Sequence, residues 1–237
     1  MSSIALLNNV EHKDLRIIGG HGPGLGSDVA WVPTFAGEFR SLQAHYPIVF
    51  RRAGDGAGAF DAIALLGFGA GENLFLVEGR WDAPVVPLLH ARQPFCIGRD
   101  GDELLIQVDL DHPRASRSEG EPVFRPHGGN TELLDGVSGM LSTIHDGMQH
   151  NAGFIDALVR HELLEGFELD IEFDDGDRHR LAGFFTIHEE RLAALDGAAL
   201  ASLHQRDYLG PIWFALASLS NLRGLIDRRN ARHAASR

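Results

Sequence analysis

Cysteine is nearly absent. Cys96 is the single one in the chain. That excludes an internal disulfide framework, a Cys₄ zinc site and a CxxC redox pair. Long apolar runs are missing too. The stretches Ala62 to Gly71 and Pro211 to Leu219 are broken by Gly or Ser. They fall short of the roughly 18 apolar residues that a membrane helix needs. Near the start, Ile4 to Leu7 is the only apolar run, and no basic residue precedes it. A secretory signal needs a positive start and roughly 7–15 apolar residues. The expectation is a cytoplasmic protein without a membrane span. Basic charge is also in deficit. Lys and Arg total 21 against 33 Asp and Glu, for a net charge of −12. Nonspecific binding to nucleic acid or to an anionic membrane needs a basic face, so neither partner is expected.

What is present is ordinary globular material. Of 237 residues, 44% are hydrophobic and 23% charged, enough apolar surface for a core. Glycine, at 28, implies many turns. The length suits one large domain or two small ones. The organisation favours a single domain over 1–237, with an N-terminal segment over 1–45, a β-rich part over 46–110 and a helix–hairpin–helix part over 130–230. Gly19 to Gly24 reads as a surface loop, because no GxxxxGK follows it.

From Tyr46 the texture is β-like. Tyr46 to Phe50, Phe60 to Leu66, Leu74 to Val77, Val85 to Leu89, Phe95 to Ile97 and Leu104 to Val108 are short apolar stretches between turn residues. Arg99-Asp100-Gly101-Asp102 reads as a hairpin turn. These strands predict a strongly bent, mostly antiparallel sheet. Residues 111–130 are rich in Pro, Gly and Ser and read as a crossing loop. Asn130 or Thr131 can cap a helix carrying Leu133, Leu134, Val137, Met140, Leu141, Ile144 and Met148 on one stripe. A second helical stretch holds Phe154, Ile155, Leu158, Val159 and Leu163. Strict alternation of Leu169, Ile171 and Phe173 with acids, then Asp175-Gly176 and Leu181 to Thr186, predicts a β-hairpin near 168–187. Asp196 can cap a helix over 197–206, and a further apolar helical stripe follows Pro211. The basic end, Arg228 to Arg237, is expected to fray. Blocks of strand and blocks of helix make the class α+β.

The 13 histidines are the loudest count. A metal needs two or three imidazoles or carboxylates aimed at one point. His145 and His150 would lie about 140° apart on a helix. His161-Glu162 begins no HExxH. His12-Lys13-Asp14 and His188-Glu189-Glu190 supply only half of a nonhaem-iron triad. No metal site is assigned and no cofactor is expected. Gly136-Val137-Ser138-Gly139 lacks the spacing of a serine nucleophile elbow. Cys96, between Phe95 and Ile97, reads as a buried inert thiol. Asp109, Asp111 and His112 cluster at a strand end. They are either a site or a charged loop start.

Several stretches, in order, resemble the SapC family: His12-Lys13-Asp14-Leu15-Arg16, Tyr46-Pro47-Ile48-Val49-Phe50, Ala64-Leu65-Leu66-Gly67, Gly71-Glu72-Asn73-Leu74-Phe75, Gly79-Arg80-Trp81-Asp82-Ala83, Pro94-Phe95, Asp111-His112-Pro113, Gly183 to Glu190, Leu203-His204, Leu209-Gly210-Pro211-Ile212 and Leu219-Ser220-Asn221-Leu222. The likeness runs over roughly 12–229. Two positions depart from it. Ala91-Arg92-Gln93 stands where a basic-aromatic run is common, and His188 stands where an acid is common.

The resemblance implies an association with surface-layer export. It also implies genomic company with TonB-dependent receptors, cupin-like proteins and flavin-dependent halogenase-like proteins. It transfers no catalytic residue. It points to a non-catalytic binding or accessory protein in TonB-dependent nutrient uptake or surface-layer processes, with a halogenase-like or cupin-like neighbour as partner. The alternative is a metal-dependent enzyme, for example of nonhaem-iron type, acting on a small substrate or peptide.

Candidate ligand-binding residues are Tyr46, Asn73, Arg80, Trp81, Arg92, Asp111 and His112. Arg80 and Trp81 could stack beside a pocket, or Trp81 could plug the core. Asn73 reads as a turn residue. Tyr46 and Arg92 would supply a hydroxyl and a fixed cation for an anion. Trp213 and Phe214 flank the C-terminal stripe. They belong either to the core or to a face that packs on a second copy in a homodimer.

Overall fold

A computed structural model of the protein describes residues 3–54, 59–100 and 103–235. The architecture is α+β; the described residues form antiparallel strands in four sheets, with helices concentrated after residue 130. Of the turn expected at 99–102, Gly101 and Asp102 lie outside the described residues. The strands that flank it, Phe95–Asp100 and Glu103–Asp109, pair antiparallel. The chain divides into two compact units that are interleaved in sequence.

The first unit holds 1–28, 76–82 and 88–146. Its largest sheet has the order Ile4–Leu6, Glu103–Asp109, Phe95–Asp100. A second sheet sets Arg16–Ile17 between Ala115–Ser116 and Glu121–Pro122. Side chains alternate across a strand, so one face can be buried while the other stays wet. Phe95 faces Val108 in register, and both are buried with Leu15, Ile17, Val123 and Phe124. Leu134, Val137 and Leu141 complete this core from the helix Glu132–Arg160. Their spacing of three and four residues sets them on one helical face. The same unit carries a two-residue ribbon, Leu76–Val77 against Arg80–Trp81. Its turn residues Glu78 and Gly79 both have positive φ, 49° and 77°. A two-residue type I′ hairpin turn requires that at both positions.

The second unit holds 29–75, 83–87 and 147–237. Its five-stranded sheet runs Leu164–Glu172, Arg178–Ile187, Ile48–Arg52, Phe60–Leu65, Trp31–Thr34. The expected hairpin forms its edge, with a register shift between Phe167 and Leu169. Gly176 turns the hairpin at φ 83°. Asp196 caps the helix Gly197–Gln205 by accepting from the Ala199 N–H at 2.7 Å.

Several features differ from the sequence expectation, among them Val85 to Leu89, read as a strand, where Leu88–Ala91 forms a short helix. The helical stretches around 131–148 and 154–163 form one helix, Glu132–Arg160, of 29 residues. Its polar middle, with Gly147 and Asn151, broke the apolar stripe in the sequence but serves packing. A Cβ at Gly147 would lie 2.2 Å from the Phe35 ring. The Asn151 side chain accepts the Ala36 N–H at 3.0 Å. The basic segment expected to fray is anchored as far as it is described, within the helix Asn221–Ala235; Arg237 lies outside the described residues. Arg229 reaches Glu72 at 3.5 Å and Asp175 at 3.5 Å, and its guanidinium covers the Phe173 ring. Arg232 donates to the Asn73 carbonyl at 2.7 Å. Arginine stems cover apolar surface while their heads find acceptors.

The long helix yields a prediction of opposite signs. Gly136 and Gly139 have open space where a Cβ would go. Gly136→Ala and Gly139→Ala should each stabilise the protein by about 0.5–1 kcal/mol, the helix-propensity gain. Gly147→Ala should destabilise it by about 1–3 kcal/mol, because the new methyl meets buried Phe35. Urea melts of the three variants decide it. A stabilised Gly147→Ala would refute the packing account.

Candidate functional site

Within the first unit, four segments bring polar and aromatic side chains to one place. The loop around 19–27 brings His21, Gly26 and Ser27. The ribbon brings Trp81. The short helix Leu88–Ala91 and the residues just after it bring His90, Arg92 and Gln93. The loop after Glu103–Asp109 brings His112 and Arg114. The His21 N–H donates to the Gly79 carbonyl at 3.1 Å, which fixes the loop to the ribbon turn.

Three rings pack against one another. His21 and Trp81 meet edge to face with centroids 5.3 Å apart, and Trp81 and His90 lie 5.0 Å apart at a tilt. His21 and His90 stack at 6.1 Å. Edge-to-face and offset geometries suit the ring quadrupoles.

Arg114 is the only cation among them that is nearly buried, with 8% of its surface exposed. Nη1 donates to the Ile18 carbonyl at 3.3 Å, and Nη2 donates to Ser27 Oγ at 3.4 Å. Nη2 also lies 3.5 Å from His21 Nδ1. The Arg114 backbone N–H donates to His112 Nδ1 at 3.2 Å. The neutral His112 ring therefore carries its proton on Nε2. Among the described residues, no carboxylate lies within 4.0 Å of the Arg114 guanidinium. Three buried atoms have no hydrogen-bond partner there: Arg114 Nε, His90 Nε2 and Gln93 Oε1. Gly26, at φ 74°, occupies the left-handed region. The point where its Cβ would sit is 3.4 Å from His112 Nε2 and 3.9 Å from Gln93 Oε1.

Electrostatics keep these imidazoles neutral. Burial and then the Arg114 charge hold His90 down to about 4, with His21 and His112 adding smaller pushes. His21 is lowered by burial and by Arg114. His112 is lowered by burial and Arg114, against a smaller opposing pull from Asp109. Burial also lowers Arg114. Arg92, whose guanidinium donates to the Phe95 carbonyl, is lowered by burial, and burial raises the nearby Cys96 thiol. The arrangement offers the fixed charge of Arg114, with that of Arg92 nearby, and several uncharged donors and acceptors. Among the described residues, no group of three or more His, Cys, Asp or Glu is placed to hold a metal ion.

The residues proposed from sequence fall into three places. Trp81 and His112 stand in this cluster, and Arg92 acts on His112 through its charge. Arg80 and Asp111 stay on the surface of the same unit. Arg80 is 3.8 Å from Glu78, and the Asp111 N–H is capped by Asp109 Oδ1. Tyr46 and Asn73 belong to the core of the second unit. The Tyr46 hydroxyl donates to the Val85 carbonyl, and the Asn73 side chain accepts the Phe75 N–H at 3.0 Å. His21, His90 and Arg114 were not singled out from sequence. Arg114 directly follows Asp111-His112-Pro113, and that adjacency was the one available signal.

A model of the SapC family matches residues 7–225. The chain belongs to the SapC family. The match spans every residue of the cluster, from His21 to Arg114. No curated protein and no solved structure matches this SapC protein. Among its described residues, no helix is long and apolar enough to cross a membrane.

The low His90 value sets a pH dependence. An unfolded chain protonates this imidazole near 6.5, whereas the folded protein protonates it near 4. Between those values the unfolded state binds more protons, so stability falls as pH drops through the window. The full effect is about 3 kcal/mol, reached below pH 4. His90→Phe keeps the ring stack and removes the proton site. Denaturant melts across the window should show a shallower acid loss for His90→Phe than for the parent. Equal slopes would show that His90 titrates normally.

Proposed function

We propose that this SapC protein is a non-catalytic binding or accessory protein whose ligand seat is the cluster of His21, Trp81, His90, His112 and Arg114. One observation carries the reading. Three buried polar atoms, on His90, Gln93 and Arg114, lack partners among the described residues of the same small region. Buried polar groups are nearly always satisfied, so orphans gathered together mark a place made for a visiting molecule. Sites for small ligands combine apolar walls with a few placed polar groups, and the His21–Trp81–His90 stack supplies the wall. The family's company suggests service in TonB-dependent nutrient uptake or surface-layer processes, in the cytoplasm. A cupin-like or halogenase-like protein is the candidate partner. Trp213, 56% exposed on the helix Leu209–Ser218, is a contact that a homodimer could use.

Native mass spectrometry of gently purified protein, with metal analysis in parallel, tests the reading. The expected result is a retained small molecule that His90→Phe releases. Stoichiometric iron, zinc or manganese would instead favour a metal-dependent enzyme. A mass equal to the bare chain, unchanged by candidate metabolites, would remove the binding role.

A further inference from the structure

We propose that the seat formed by His90, His112 and Arg114 takes a compact oxyanion, a carboxylate or a phosphate, with Arg114 as its counter-charge. The inference rests on the binding reading above and names the ligand's chemistry.

The argument starts from charge. A guanidinium taken out of water needs either a counter-charge or a full set of acceptors. Arg114 has neither. Its recorded acceptors are all neutral: a carbonyl, a hydroxyl and an imidazole nitrogen. Its Nε has none among the described residues. This is a chain with 33 carboxylate side chains, yet no acid among the described residues stands within 4.0 Å of this guanidinium. A tether for the loop around Ile18 and Ser27 would explain Nη1 and Nη2. It would leave both the charge and Nε unexplained.

The surroundings select the same class. His112 keeps an N–H on Nε2, because its Nδ1 is occupied by the Arg114 backbone N–H. His90 Nε2 is buried without a partner. Gln93 can present either end of its amide, so it can donate to an anion or accept from an anion that retains a proton. A cation would meet Arg114 and find no carboxylate. A bulky group would not reach donors on residues only 3% and 8% exposed. Gly26 adds a spatial condition. A side chain there would crowd the approach to His112 Nε2 and Gln93 Oε1.

Binding is then coupled to protons. An anion at the seat favours the charged form of each imidazole that faces it. The charged and titratable groups around those imidazoles are Arg114 for His21, Arg114, His21 and His112 for His90, and Arg114, Arg92 and Asp109 for His112. The net field of the free site is positive, so the anion raises all three imidazoles and its affinity rises as pH falls.

The test titrates the full chain with sodium phosphate and, separately, with sodium acetate, at pH about 7 and about 5.5. Calorimetry and imidazole NMR give the readouts. The expected result is saturable binding of at least one anion, shifted His90 and His112 ring signals, and tighter binding at the lower pH. Arg114→Gln, if folded, should weaken that binding by about tenfold or more. The ring signals of the parent protein decide the matter even if this variant does not fold. Phosphate without acetate assigns a phosphate ligand, and acetate without phosphate assigns a carboxylate. Binding that a folded Arg114→Gln retains overturns the proposal. So does silence to both anions in a protein that still carries a small molecule by native mass, which leaves the binding reading standing. Silence in both experiments overturns both.

Discussion

A positive charge withdrawn from water constrains everything built around it. Arg114 sits at that point in the first unit. Its guanidinium holds the loop around Ile18 and Ser27, and its backbone N–H fixes the His112 ring. Its charge helps to keep His21, His90 and His112 neutral. Neutrality suits the His21–His90 stack, because two uncharged imidazoles meet without the repulsion that two imidazolium rings would have. The proposed anion seat rests on this same charge. A cation brought beside an uncompensated guanidinium would be repelled.

The second unit handles charge in the opposite way. Several of its arginines meet acids or a carbonyl. Arg229 reaches Glu72, Asp175 and Asp177, and it covers Phe173. His233 joins the same group through Asp175 at 3.1 Å. Exposed ion pairs contribute little to stability. Here the arginine is largely enclosed and lies on an aromatic face, so the network locates the last helix as well as neutralising it. The contrast sharpens the reading of Arg114. A chain able to surround Arg229 with acids leaves Arg114 without one among the described residues.

Much of the fold was legible in the sequence because it is written in local period. Alternation of apolar and acidic residues announced the hairpin at Leu164–Glu172 and Arg178–Ile187. Asp196 announced a cap, because its carboxylate could reach an exposed helix N–H. The continuity of Glu132–Arg160 was not legible. Gly147 and Asn151 carry no apolar signal, and their reasons lie on Phe35 and Ala36, more than a hundred positions away. The candidate site was half legible. Trp81 and His112 stood out by type. Tyr46 and Asn73 also stood out by type, yet their polar atoms serve carbonyl and amide groups in the other unit's core. Residue type shows what a side chain can bond, and only the fold shows what it does bond.

The sequence by itself determined the class of the chain, its family, its acidic balance and several of its strands and helices. These depend on composition, on apolar spacing and on neighbours a few positions apart. The tertiary structure alone decided which of 13 histidines meet, which arginine is left without an acid, and where the glycine-rich loop closes. His21 and Arg114 are separated by 93 positions, and no period in the sequence connects them. They meet because burial of Leu15, Ile17 and Val123 pairs the strands around Arg16–Ile17. That pairing carries both side chains to the same end of the sheet.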